Sequence, residues 1–246
     1  MSVVPAEYCP VSIGASALGD RWSLLIVREV MAGSYQFSSI LRGLPGLSRS
    51  LLAGRLRHLE GLGILKRIPT GAGRTHEYRL TEAGEDLHEL IYALGRWTVK
   101  WWFPEPLPDQ VDNALLLWRM RAGITSHLPQ GRTTIQFDFT DGEVKRAWIV
   151  ATNAEVSVCL HDPGFAVDLS VTGSGRLWHE IWYGHRDLSQ AIAANEIIVE
   201  GPAKLVRSLP KWFAMSPFST EVLAAKRVNS GPSASGVQPA NTSGAC

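Results

Sequence analysis

A chain of 246 residues with 24 Lys/Arg against 23 Asp/Glu is long enough for one large or two ordinary cores, and its formal charge of +1 names no partner by itself. Cys9, Cys159 and Cys246 are odd in number and form no C-x-x-C pair; this excludes a disulfide framework or a four-ligand zinc site within one chain and fits a reducing compartment. No apolar stretch approaches bilayer length and residues 1–7 show no basic-then-apolar leader, so a soluble cytoplasmic protein without membrane contact is expected.

Pro10 in a first turn opens a short helix over residues 9–18, which Gly19-Asp20 breaks. Trp22, Leu25, Ile26 and Val30 keep helical spacing over 21–31, with Gly33 as the stop. Phe37, Ile40, Leu41 and Leu44 face inward from a third helix, and Pro45-Gly46 turns the chain into a fourth over 48–62. There Leu52, Leu56, Leu59 and Gly63 recur at four-three-four spacing, and Ser48 stands at the N-cap.

The opposite side of that fourth helix carries the chemistry. At roughly 100° of rotation per residue, Ser50, Ala53, Gly54 and Arg57 point away from the leucines, with Arg49 beside the N-terminus. Small residues let a backbone approach a groove, and guanidinium groups reach phosphates or pair with guanine, so the face suits a DNA major groove. Residues 64–68 and 76–80 alternate as a hairpin, joined by a Gly-rich connection that places Lys66, Arg74 and Thr75 as a basic wing. From 36 to 80 there are eight Lys/Arg against Glu60 and Glu77, a net of +6. A solvated basic face is the plain alternative; a local excess of this size in a near-neutral chain favours polyanion contact.

Residues 81–102 read as a helix capped by Thr81. Leu87, Leu90, Ile91, Leu94, Trp97, Trp101 and Trp102 load one broad side with more apolar area than a three-helix core covers. That side needs a second copy, the chain's own second half, or both. A Pro-spaced connector over 103–108 follows. Residues 1–103 carry +3 and residues 104–225 carry −4, which divides the chain into a DNA-binding and dimerisation domain and a second domain. The second half reads as a helix over 109–128, strands over 133–139, 144–151, 156–161 and 165–171 in an antiparallel sheet, helices over 175–183 and 188–194, a strand over 196–200 and a last helix over 203–213. This is an α+β arrangement. Residues 226–246 are expected to be a disordered tail of small polar residues.

The first hundred residues resemble the HxlR family of bacterial winged-helix regulators. The match rests on Cys9-Pro10-Val11, Gly19-Asp20-Arg21-Trp22, Phe37-Ser38 with Ile40-Leu41, Leu44-Pro45-Gly46-Leu47-Ser48, Leu52 with Arg55-Leu56, Leu59-Glu60, Gly63-Ile64, Arg67, and Tyr78 to Gly84. The resemblance implies a MarR-like homodimer formed by the first helix and residues 85–102, with the helix over 48–62 in the major groove of an operator and the hairpin as wing. Gln36 stands where such proteins often carry Arg, and Gly71-Ala72-Gly73 replaces a wing that commonly contains Pro. The second half resembles the sterol-carrier-protein-like domain on residues 167–171, Leu177, Trp182, Gly184, Leu188, Ala191, Ile197 to Pro202 and Leu205-Val206. Such domains hold an apolar ligand between sheet and helices. Trp118, Phe137, Phe139, Trp148, Trp178 and Trp182 are accordingly either pocket lining or solid core.

The function expected is a sequence-specific repressor that binds double-stranded DNA as a homodimer and senses a small apolar effector. A first alternative is a thiol-switched regulator using Cys9, whose thiolate a helix N-terminus would favour, against the reading of Cys9 as a small buried apolar residue. A second, from another class, is an apolar-ligand carrier without DNA binding. No G-x-S-x-G, P-loop, H-E-x-x-H or dinucleotide fingerprint occurs, so neither an enzyme, a cofactor nor a metal is expected.

Overall fold

In the computed structural model, residues 7–71, 76–124, 128–129, 131–152 and 155–229 are described. Arg74, Thr75 and the tail from residue 230 onward lie outside them.

The N-terminal domain is built from α1 (Pro10–Leu18), α2 (Ser23–Met31), α3 (Phe37–Arg42), α4 (Arg49–Gly61), the hairpin β1 (Leu65–Pro69) and β2 (His76–Leu80), α5 (Glu82–Glu85) and α6 (Leu87–Trp102). Ile26, Val27, Ile40, Leu52, Leu56, Leu59 and Leu65 are buried together as its core, and Ile91 of α6 joins them. Strand register pairs Leu65 with Leu80 and Arg67 with Tyr78. The Tyr78 amide donates to the Tyr35 carbonyl at 2.8 Å, so the hairpin is tied to the segment before α3. The helix expected over 81–102 is two helices, because α5 ends at Asp86 after a single Thr81-capped turn.

The C-terminal domain follows as α7 (Asn113–Met120), β3 (Thr133–Phe139), β4 (Arg146–Ala151), β5 (Val156–Cys159), β6 (Leu169–Gly173), α8 (Gly175–Trp182), α9 (Leu188–Ala193), β7 (Ile197–Glu200), α10 (Ala203–Ser208) and α11 (Ser219–Asn229). The sheet order is β5-β4-β3-β6-β7. β3 pairs with β6 in parallel while the other neighbours are antiparallel, so the sheet is mixed, not antiparallel as expected. The reason is connectivity: β5 sits at one edge, and the segment after it crosses to the far side of β3. There the Asp168 amide donates to the Thr134 carbonyl (2.9 Å) and its carboxylate accepts from the Thr134 amide (2.8 Å), starting β6 in the direction of β3.

The helix expected over 109–128 is cut to residues 113–120. Asp112 caps it by accepting from the Leu115 amide at 2.9 Å, and at its other end Ile124 forms a bridge with Phe213. α11 runs through the boundary drawn at residue 226, and its backbone packs along α6. A Cβ on Gly95 would lie 2.2 Å from the Phe218 ring, so the glycine is the seat that lets Phe218 reach α6. Asp141 joins the β3–β4 turn to the start of α8, accepting from the Ser174 hydroxyl (2.8 Å) and from the amides of Gly175 and Arg176.

Candidate nucleic-acid interface

α4 is held from behind by apolar packing and at its flanks by polar ties. Leu52, Leu56 and Leu59 are buried, and the Ser48 hydroxyl accepts from the Leu51 amide at 3.2 Å. Arg55 reaches Asp20 at 3.3 Å, and His58 Nε2 lies 3.2 Å from the Ala17 carbonyl. Asp20 also accepts from the amides of Trp22 (2.8 Å) and Ser23 (3.1 Å) and from the Ser23 hydroxyl. Burial pushes its carboxyl up, but these hydrogen bonds and Arg55 together hold it below its ordinary value. Through Asp20 the start of α2 and the middle of α4 are fixed to each other.

Ser48, Arg49, Ser50 and Arg57 are exposed, and Ala53 and Gly54 are half-buried beside them. A Cβ on Gly54 would meet nothing within 4 Å, so the surface over it is open. Among the described residues no carboxylate is ion-paired with Arg49, Arg57, Lys66 or Arg67. Arg49 stacks over Phe37 at 5.3 Å, and Arg67 donates to His76 Nδ1 at 3.1 Å; neither partner is a carboxylate.

The local +6 is therefore only partly available. Arg55 is held by Asp20, Arg79 is paired with Glu77 at 2.6 Å and lies 3.4 Å over Tyr35, and Arg42 lies 4.7 Å over Trp118 of α7. Arg67, which sequence reasoning did not place at the site, is exposed on β1 next to Lys66. Alternation gave no signal for it, because a residue two positions from buried Leu65 shares that residue's side of the strand.

α6 presents three sides. Ile91 faces the N-terminal core, and Tyr92 and Gly95 face Phe218. The third side is an uncovered stripe of Leu90, Leu94, Trp97 and Trp101, each about half exposed or more (49%, 49%, 53% and 61%). Val11 and Ile13 of α1 are exposed too. Cys9 is half-buried at the N-cap of α1, and its side chain makes no capping hydrogen bond.

The six aromatic residues expected to be pocket lining or core do not converge on one cavity among the described residues. Phe137, Phe139 and Trp178 are buried among themselves and Phe213, with the Phe137 and Trp178 rings edge to face at 5.5 Å. Trp148 is buried on β4 opposite Gln136. Trp118 and Trp182 line a cleft of about 420 Å³ that lies between the two domains, not between the sheet and its helices. Among the described residues no cluster of His, Cys, Asp and Glu could hold a metal, and no helix is long and apolar enough to cross a membrane.

Residues 17–106 match the model of the HxlR-like helix-turn-helix family. The uncharacterized HTH-type transcriptional regulator YvaP of Bacillus subtilis (strain 168) is 37% identical over 99 residues, 39% of this chain and 91% of that protein. The uncharacterized HTH-type transcriptional regulator MT3179 of Mycobacterium tuberculosis (strain CDC 1551 / Oshkosh) is 46% identical over 81 residues, 32% of this chain. The chain spans about half (51%) of that relative's length. Among solved structures, the reduced form of the transcriptional regulator YodB from B. subtilis is 31% identical with a TM-score of 0.36, covering 41% of this chain and all (100%) of that one. With a near-complete match to such a relative and the helix-turn-helix geometry in place, the chain belongs to the HxlR-like helix-turn-helix family.

Proposed function

We propose that the protein is a transcriptional regulator that binds an operator as a homodimer, inserting α4 into the major groove and laying the β1–β2 hairpin along the backbone beside it. The observation that carries this reading is the free face of α4: small residues over open space, flanked by Arg49 and Arg57 with no internal carboxylate. Ser48, Ser50, Ala53 and Gly54 allow close approach, Lys66 neutralises phosphate, and Arg74 and Thr75 complete the wing by sequence. The uncovered α6 stripe, together with the exposed Val11 and Ile13 of α1, is the surface for the second copy. Such a two-fold protein reads two half-sites about one helical turn apart.

In this proposal residues 1–103 are the DNA-binding and dimerisation unit, and residues 104–225 sense a small apolar effector on a sterol-carrier-like frame. Binding of the effector favours a dimer geometry whose α4 helices no longer fit the half-site spacing, which makes the protein a repressor released by ligand. The test is binding to duplexes selected from a random library, read by anisotropy for the native chain and Arg57→Ala. A base-reading Arg57 costs about 1–3 kcal/mol and its loss relaxes the selected sequence, whereas a phosphate contact weakens all duplexes alike. Unchanged binding across salt concentrations removes Arg57 from the interface.

A second reading, a thiol switch at Cys9, is supported by its half-buried place at the start of α1, within the surface proposed for dimerisation. Operator release by oxidant that persists in Cys9→Ser refutes it.

A further inference from the structure

The cleft between the domains has a charge pattern that its apolar walls do not require. Met31, Ile91 and Tyr92 from the N-terminal domain face Trp182, Met215 and Phe218 from the C-terminal domain across it. Its volume, about 420 Å³, is that of a site for a small organic molecule. Of its charged residues, Arg28 and Glu29 neutralise each other at 2.7 Å. Arg121 stacks over the Trp118 ring at 3.4 Å, and Arg119 is left over. Arg119 donates to the Tyr183 hydroxyl at 2.9 Å, and Arg121 donates to the Trp118 carbonyl (2.9 Å) and the Ser34 hydroxyl (3.3 Å); all these acceptors are uncharged. Among the described residues neither guanidinium is ion-paired with a carboxylate.

Half-buried cations without counter-ions are unfavourable unless something supplies the missing charge. Burial holds the Arg121 guanidinium below its ordinary value, with Glu29 opposing and Arg42 adding to the effect. Trp118 lines the same cleft, and its buried indole N–H has no acceptor among the described residues. Arg119 and Tyr183 also line a neighbouring cavity of about 300 Å³, so the unpaired guanidinium stands between two hollows.

We infer that this cleft binds an amphipathic organic anion, an aromatic or aliphatic carboxylate or sulfonate whose apolar body fills the space between the domains and whose anionic head meets Arg119. Such a ligand touches α2 and α6 on one side and the C-terminal domain on the other, so it clamps the two together. Its role as the effector rests on the regulatory reading above; its binding does not.

The experiment uses two dyes that share one apolar body: 8-anilinonaphthalene-1-sulfonate, and N-phenyl-1-naphthylamine, which lacks the sulfonate. Fluorescence titration of the full chain is expected to give one sulfonate dye per chain. Arg119→Met should weaken the sulfonate at least tenfold while moving the neutral dye less than twofold. Ala122→Trp, which fills the cleft from its exposed rim, should weaken both dyes tenfold. Thermal melts check that both variants fold. Equal sulfonate binding by native chain and both variants, or binding of neither dye, overturns the proposal. Arg119-dependent binding that leaves operator affinity unchanged upholds the site and refutes effector sensing there.

Discussion

The sharpest numerical consequence of the structure concerns how DNA binding responds to salt. Sequence composition offers eight cations between residues 36 and 80 in each protomer. If all touched phosphate, a dimer would neutralise about sixteen, and log Kobs against log salt would have a slope of about −14. The structure removes Arg55, Arg79 and Arg42 to Asp20, Glu77 and Trp118, which leaves Arg49, Arg57, Lys66 and Arg67 among the described residues. With Arg74, which the sequence puts in the wing, five per protomer neutralise about ten phosphates in a dimer, giving a slope of about −9. Lys66→Ala removes one contact from each protomer and should bring the slope to about −7 without changing which sequence is preferred. The assay is fluorescence anisotropy on one labelled operator duplex between about 50 and 200 mM salt, the range over which such a slope costs several decades of affinity. A slope near −14 would mean that the internal pairs open on DNA. A slope shallower than about −2 would mean that α4 and the hairpin do not face the duplex at all.

Other consequences test the dimer and the C-terminal frame. Leu94→Ala on the uncovered stripe of α6 should remove about 1.5 kcal/mol per protomer, so about 3 kcal/mol for a two-fold pair and about a 150-fold rise in dimer Kd by sedimentation, with the monomer's melting unchanged. Unaltered association would place the dimer contact elsewhere. Asp141→Ala should cost about 1–3 kcal/mol in urea unfolding, since it frees the Ser174 hydroxyl and two α8 amides. Burial raises the Asp141 pKa, but those donors outweigh it and the folded value lies below the ordinary 3.8. The gap between native and variant should therefore be constant well above pH 3.8 and narrow as pH falls through that value toward the folded one. A gap that widened with acid would refute the assignment.

How legible the molecule was depended on how local each cause is. Leu52, Leu56 and Leu59 mark α4 because the helix repeats its own pattern, and Ser48 announces its start within four residues. The direction of β6 was not legible, because alternation marks a strand but carries no information on which neighbour it joins. α11 was missed for a related reason: Val222 is the one fully buried residue among those whose burial is described, and the helix is fixed by packing on α6 more than by an amphipathic repeat of its own. The eight cations were read as one footprint because Asp20, which claims Arg55, lies 35 positions away in the turn between α1 and α2. The aromatic set showed its size but not its destination; core and pocket lining draw on the same residues. The inter-domain cleft left a fainter trace: Arg119 and Arg121 beside an otherwise apolar Leu115–Met120 run, two charges on an element expected to be buried.

The joint between the domains can be tested by the sign of a single substitution. Gly95 lies inside α6, where glycine is about 1 kcal/mol less favourable than alanine. On an isolated helix Gly95→Ala would therefore stabilise. Here the added Cβ would come within 2.2–2.3 Å of Phe218 Cε1 and Cζ, so the ring must move. It cannot do so freely, because it also packs on Tyr92 with ring centres 5.3 Å apart and lines the cleft. Gly95→Ala is expected to destabilise the native chain by about 1–2 kcal/mol, the cost of overpacking outweighing the gain in helix propensity. In a Phe218→Ala background the obstacle is gone and the same substitution should stabilise by about 1 kcal/mol. The reversal is the informative quantity, because it measures the contact between α6 and the segment leading into α11 apart from either residue's own preference. A Gly95→Ala change that stabilises both backgrounds equally would mean that Phe218 does not rest on α6 in solution. The C-terminal domain would then lack the connection through which a ligand in the cleft could act on the helix proposed to hold the dimer together.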